Sequence, residues 1–223
     1  MDAETKIADV IANENFKGYG RLLFPGRLSE SDKKRTLGQI APLFPYHRHL
    51  SVDATLNVLN SMLAREKNGE KIFYDLYSDK EKGRAPTKAE TGLFYFRGVK
   101  KAPFAVICAG GSFQYVASLH ESLPHALELS RMGFNAFTLH YRTESLEAAC
   151  EDHANFRPCG GAQRRHGVLF ALGQLGRRPY RRLSGLVRAA RFRRGAAAAP
   201  RYAGAAVHRA HEPHPSGAAH LRL

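Results

Sequence analysis

Charge divides this chain in two. Of its 34 Lys and Arg and 20 Asp and Glu, residues 1 to 152 hold twenty and nineteen, a net of +1. Residues 153 to 223 hold fourteen Arg, no Lys and one acid, Glu212, a net of +13. The basicity of the whole chain therefore belongs to its tail. That tail is also rich in Ala, Gly and His: four alanines run from Ala196 to Ala199, and His211-Glu212-Pro213-His214-Pro215 follows. Arg pairs fall where a helix face needs apolar residues. Such a composition cannot offset the entropy of ordering by burial. It predicts a poorly ordered tail and confines the packed core to the first 152 residues.

Within those residues, apolar periodicity alternates with turn signals. Ser51 is placed to cap a helix carrying Val52, Leu56, Leu59 and Leu63 on one face. Residues 72–77 and 93–96 read as strands. Phe104-Ala105-Val106-Ile107-Cys108 is a continuous apolar run, as a strand buried on both faces requires. A helix is expected from Ser122, its cap, to Met132, with Pro124 in the first turn and Gly133 at its end. Residues 134–139 are the next strand, and Thr143 opens a helix through Leu146, Ala149 and Cys150. Strand and helix alternating at these lengths predict an α/β fold of parallel βαβ units. Three segments result: an N-terminal helical or irregular segment, 1–69; an α/β segment, 70–152; and the Arg/Ala/Gly-rich tail, 153–223.

Composition narrows the function classes. The chain is 43% hydrophobic and has no apolar run of membrane-spanning length, which predicts a globular protein with no membrane partner. Met1-Asp2-Ala3-Glu4-Thr5 lacks the basic and then apolar regions of a secretory signal, so the expected compartment is the cytoplasm. Cys108, Cys150 and Cys159 are irregularly spaced and predict neither a disulfide framework nor a metal site. Cys108 reads as a small buried hydrophobe. His120, His125 and His140 read as surface or packing residues. His208, His211 and His214 have a spacing at which a metal binds only weakly.

The most informative motif is Cys108-Ala109-Gly110-Gly111-Ser112-Phe113, directly after the buried strand. Glycines there let the backbone approach a substrate and point amides at one place. His120-Glu121-Ser122, Met132-Gly133-Phe134-Asn135-Ala136-Phe137, His140-Tyr141-Arg142 and Glu147-Ala148-Ala149-Cys150-Glu151-Asp152 follow in order. Over about residues 70 to 152 this succession resembles the α/β-hydrolase serine esterases and lipases, particularly the acetyl-esterase and acetylxylan-esterase-like group. The resemblance implies a parallel sheet flanked by helices and an oxyanion hole built from Gly110, Gly111 and Ser112. It implies hydrolysis of an acetyl or short acyl ester on a carbohydrate or small molecule, with no cofactor and no metal. A Ser nucleophile, a His base and an orienting Asp would carry the chemistry.

No Gly-x-Ser-x-Gly occurs in the chain, so no catalytic residue is identified; Ser112 lacks the elbow pattern. A Lys-free, Arg/Ala/Gly/Pro-rich tail is what GC-rich DNA encodes out of frame. Reread one nucleotide downstream, Leu172-Gly173-Gln174-Leu175-Gly176-Arg177-Arg178 permits Trp-Gly-Ser-Ser-Ala-Gly-Ala, which contains the elbow. Gln163-Arg164-Arg165-His166-Gly167 permits Ser-Val-Asp-Thr-Ala, and Gly217-Ala218-Ala219-His220-Leu221 permits Glu-Pro-Pro-Thr-Phe, in the same frame. The expectation is a frame break near Asp152-His153 and an incomplete sheet. The sheet edge facing the missing nucleophile strand would be bare, and the chain poorly soluble. Two other classes remain open. One is nucleic-acid binding by the tail arginines through charge alone, although few aromatics are interleaved and no nucleic-acid motif appears. The other is a non-catalytic scaffold.

Overall fold

The computed structural model describes residues 1–26, 28–47, 50–156 and 168–172, the last five as backbone. The architecture is α/β. Five strands form one mixed sheet: β1 (Phe73–Tyr74), β2 (Gly92–Phe96), β3 (Phe104–Cys108), β4 (Asn135–His140) and β5 (Val168–Leu172). Their order is β1-β2-β4-β3-β5. The helices are α1 (Ile7–Ile11), α2 (Glu30–Lys34), α3 (Val52–Lys67), α4 (Asp79–Arg84), α5 (Leu123–Arg131) and α6 (Leu146–Ala154).

The expected parallel sheet is corrected to a mixed one. β3 runs parallel to β4 and to β5, whereas β2 is antiparallel to both β1 and β4. The link 97–103 between β2 and β3 is shorter than a crossover requires, so β3 reverses direction relative to β2. From β3, α5 returns the chain across the sheet and β4 enters parallel. β2, β3 and β4 are buried at every position, as strands covered on both faces must be. The Asn135 side chain locks the amino edge. Its Oδ1 accepts the Tyr95 hydroxyl at 2.7 Å and the Gly98 amide at 3.2 Å, and its Nδ2 donates to the carbonyl of Ala102 at 3.1 Å.

The local elements differ from the sequence reading in instructive ways. Ser51 caps α3 as expected, accepting the Ala54 N–H at 3.1 Å. The buried face of α3, however, centres on Thr55, Val58, Leu59 and Met62, while Leu56 and Leu63 lie at its margin. The helix is turned because α5 and the N-terminal segment both pack against it. Strand 72–77 shrinks to the two residues of β1, and strand 134–139 moves on by one residue. Ser122 does not cap α5; it lies in a π-turn, Ser118–Ser122, that runs into the helix. Pro124 sits in the first turn, and Gly133, at φ +94°, follows its end. Ser145, not Thr143, caps α6 by accepting the Ala148 N–H at 3.1 Å.

Two expectations concern the region beyond Asp152. The edge of β3 expected to be bare is paired by β5, in register from Phe104↔Val168 to Cys108↔Leu172. Packing also continues to Phe156, whose ring lies 5.6 Å from Phe137 and 6.2 Å from Phe104. The expected disorder of the rest of the tail, 157–167 and 173–223, falls outside the described residues. At the other end, Ile7, Val10, Phe16, Leu23, Leu37 and Phe44 are buried in the same core as the strands. No helix among the described residues is long and apolar enough to cross a membrane.

A buried ionic network ties α6 to the sheet. Asp152 is fully enclosed. Its Oδ2 accepts the Arg142 backbone N–H at 2.7 Å, and its Oδ1 accepts the Tyr77 hydroxyl at 2.6 Å and Arg142 Nη2 at 2.8 Å. Arg142 Nη2 also reaches Glu151 at 2.6 Å. Removing one partner of such a pair strands a buried charge. Asp152→Ala is therefore expected to destabilise the fold by about 3–5 kcal/mol, read as a lowered urea midpoint. A change within about 0.5 kcal/mol would contradict the network's role.

Candidate active site

The apolar strand β3 delivers the glycine turn to the carboxyl edge of the parallel part of the sheet. Gly110 and Gly111 are buried there and Ser112 is exposed. The three residues have different roles. The Gly110 amide donates to Glu121 Oε2 at 2.6 Å, and the Gly110 carbonyl accepts from Ala117 at 2.9 Å. The Gly110 amide, expected to serve an oxyanion hole, is thus engaged by a carboxylate instead. Among the described residues, no acceptor meets the amides of Gly111, Ser112 or Phe113.

The turn itself is strained. Gly111 has φ +138°, and Ser112 and Phe113 follow at +55° and +58°. The Gln114 N–H closes back on the Gly111 carbonyl at 2.9 Å. Two consecutive non-glycine residues in the left-handed region cost about 1–2 kcal/mol each. The surroundings hold them there. Glu121 Oε1 lies 2.7 Å from His47 Nε2, and His47 Nδ1 lies 2.9 Å from the Tyr115 hydroxyl. A Cβ on Gly111 would stand 2.1 Å from the Tyr115 carbonyl oxygen. Gly111→Ala is therefore expected to lower stability by about 3 kcal/mol through collision and strain, measurable by urea denaturation. Wild-type stability in this variant would show that the turn has another conformation.

Next to the turn lies a cleft of about 710 Å³, within the range of small-molecule sites. Gly110, Gly111 and Ser112 do not line it; Phe113, Gln114, Tyr115 and Val116, the residues that follow, do. Leu43, Pro45 and Tyr141 add apolar wall, and Thr87, Glu90, Thr143 and Glu144 add polar rim. Tyr141 is fixed by donating its hydroxyl to the Ala109 carbonyl at 2.7 Å.

His140, read from sequence as a packing or surface residue, is buried and also lines this cleft. The missed signal was its place at the carboxyl end of a buried strand. Its Nδ1 is 3.1 Å from the Ser118 hydroxyl. Burial, with the nearby Arg21 charge adding, pushes its pKa from 6.5 down to about 3. His120 is partly buried and lies against His47, with ring centres 5.0 Å apart, and His125 is exposed. Cys108 is enclosed, and burial pushes its thiol up to about 12. Its Sγ lies 3.2 Å from His153 Nε2, so it is a protonated core thiol rather than a nucleophile. His208, His211 and His214 lie outside the described residues. Among the described residues, no group of three or more His, Cys, Asp or Glu is arranged to hold a metal.

The buried histidine makes stability depend on pH. Below 6.5 the unfolded chain takes up a proton at His140, while the folded chain resists until about 3. Its contribution is complete above 6.5 and is lost as pH falls through that window. At pH 5 the expected loss is about 2 kcal/mol. Burial lowers His120 and His153 in the same direction, adding to the slope. Urea melts between pH 7 and pH 5 should show the decline, and His140→Phe should flatten part of it; an unchanged slope in that variant would contradict the assignment.

No family model, curated protein or solved structure matches the chain.

Proposed function

We propose that residues 1 to about 152 are the N-terminal half of an α/β-hydrolase-type serine esterase, and that this polypeptide lacks the nucleophile and so is itself inactive. What supports the reading is one juxtaposition. The Gly110-Gly111 turn leaves the carboxyl end of β3, and the neighbouring parallel strand β5 ends at Leu172, opposite Cys108. Leu172 is also where the reread phrase carrying Gly-x-Ser-x-Gly begins. A strand of the reread frame in the place of β5 would therefore deliver its serine beside the free amides of Gly111 and Ser112.

In that arrangement the serine hydroxyl attacks the ester carbonyl while a histidine takes its proton and an aspartate orients the ring. The amides stabilise the oxygen that becomes negative, each contributing about 3–4 kcal/mol in the transition state. The substrate class is the one the resemblance implies, an acetyl or short acyl ester of a carbohydrate or small molecule. No cofactor enters this chemistry.

Hydrolysis of p-nitrophenyl acetate tests the proposal. The chain as it stands should turn over no faster than bovine serum albumin. Deleting one nucleotide near codon 153, with the DNA beyond codon 223 retained so that the acid and His can be read, should restore turnover, and Ser→Ala in the restored Gly-x-Ser-x-Gly should abolish it. Turnover by the unaltered chain would refute the missing nucleophile. A restored, folded but inert chain would refute the esterase reading.

A further inference from the structure

The floor of the cleft holds a hydrogen-bonding atom that the fold leaves open. His140 lines the cleft with 6% of its surface exposed, and its Nδ1 is taken by Ser118. Among the described residues nothing bonds to its Nε2. The enclosed side-chain polar atom without a partner among them is Thr138 Oγ1, not this nitrogen. Being neither bonded nor enclosed, Nε2 faces the cleft.

Ser118 decides where the ring proton sits. It is fully buried in the π-turn, and among the described residues its hydroxyl meets one partner, His140 Nδ1. If Nδ1 carried the proton, the hydroxyl hydrogen would be buried without an acceptor, an arrangement folded proteins avoid. The hydroxyl therefore donates to Nδ1, and the proton of the neutral ring sits on Nε2. Burial keeps the ring neutral at ordinary pH.

We propose that His140 Nε2–H is a fixed, uncharged donor that binds the acceptor oxygen of a neutral carbonyl ligand in this cleft. Among the described residues, no unpaired cation lines the cleft to hold an anion: Glu90, Glu144 and Arg142 all line it, each already matched by an opposite charge. The Arg142 guanidinium is engaged by Asp152, Glu151 and Glu144, and Arg21 is paired with Glu90. Leu43, Pro45, Phe113 and Val116 are suited to the hydrocarbon part of such a ligand. The inference needs the cleft as it is and no nucleophile, so it stands whether or not the esterase reading does.

Nitrogen NMR of the full chain carrying 15N-labelled histidine tests it, with acetanilide as the neutral carbonyl probe and benzoate as the anionic one. Between about pH 5 and pH 8 His140 should be the Nε2–H tautomer. Acetanilide should shift that resonance saturably and bind more tightly than benzoate. His140→Phe should weaken acetanilide binding about tenfold, and Ser118→Ala should mix the tautomers. An Nδ1–H tautomer in the unaltered chain overturns the proposal. So does the absence of acetanilide binding, unchanged binding in His140→Phe, or tighter binding of benzoate. The tautomer and both titrations are read on the unaltered chain, so the test stands even where a variant fails to fold.

Discussion

The contact between the Glu121 carboxylate and the Gly110 amide holds the candidate site together. Without it, a turn with three successive residues at positive φ would relax. Glu121 is positioned in turn by His47, and His47 by Tyr115, whose own backbone closes over Gly111. The loop after β3 is thus fixed by side chains from the N-terminal segment and the π-turn. Preorganisation of this kind is what electrostatic stabilisation of a transition state requires, because donors that must reorient lose their advantage. It also explains why residues 1–69 cannot be a detachable appendage: His47 and Phe44 pack directly against the site.

A second constraint acts just beyond the carboxyl end of β4. Arg142 leaves the strand and meets an enclosed carboxylate on α6, so helix and strand are fixed together by charge-assisted bonds rather than by apolar contact alone. The same geometry engages the guanidinium, which also lines the adjacent cleft, so the residue that secures α6 brings a paired rather than a free charge to that wall.

The sequence made some of this legible and hid the rest for physical reasons. The run Phe104–Cys108 and the glycines after it announced a buried strand ending in a special turn, because burial on both faces leaves no room for polar residues. Strand polarity was not legible, since it depends on how the 97–103 link travels, and α/β alternation favours a parallel reading. The buried face of α3 is turned by a fraction of a turn from the one its apolar spacing suggests, because two neighbours cover it. Glu121 carries no local signal of its role: its bond to Gly110 spans eleven positions and its partner His47 lies 74 away. His140 stands at the carboxyl end of a buried strand, which is legible, but that the end opens into a cleft depends on distant segments such as Leu43 and Thr87.

The central claim is that a nucleophile belonging beside the Gly111 turn was lost to a frame break, and the nucleotide sequence of the gene tests it most directly. Reread one nucleotide downstream, Gly173 yields glycine only from GGG, Leu175 yields serine only from CTC, and Arg177 yields glycine only from CGG or AGG. A frame break predicts those codons, in a frame that stays open from about codon 153 onward. Any other codon for Leu175, or a stop in that frame before it, would contradict the loss of a nucleophile by this route.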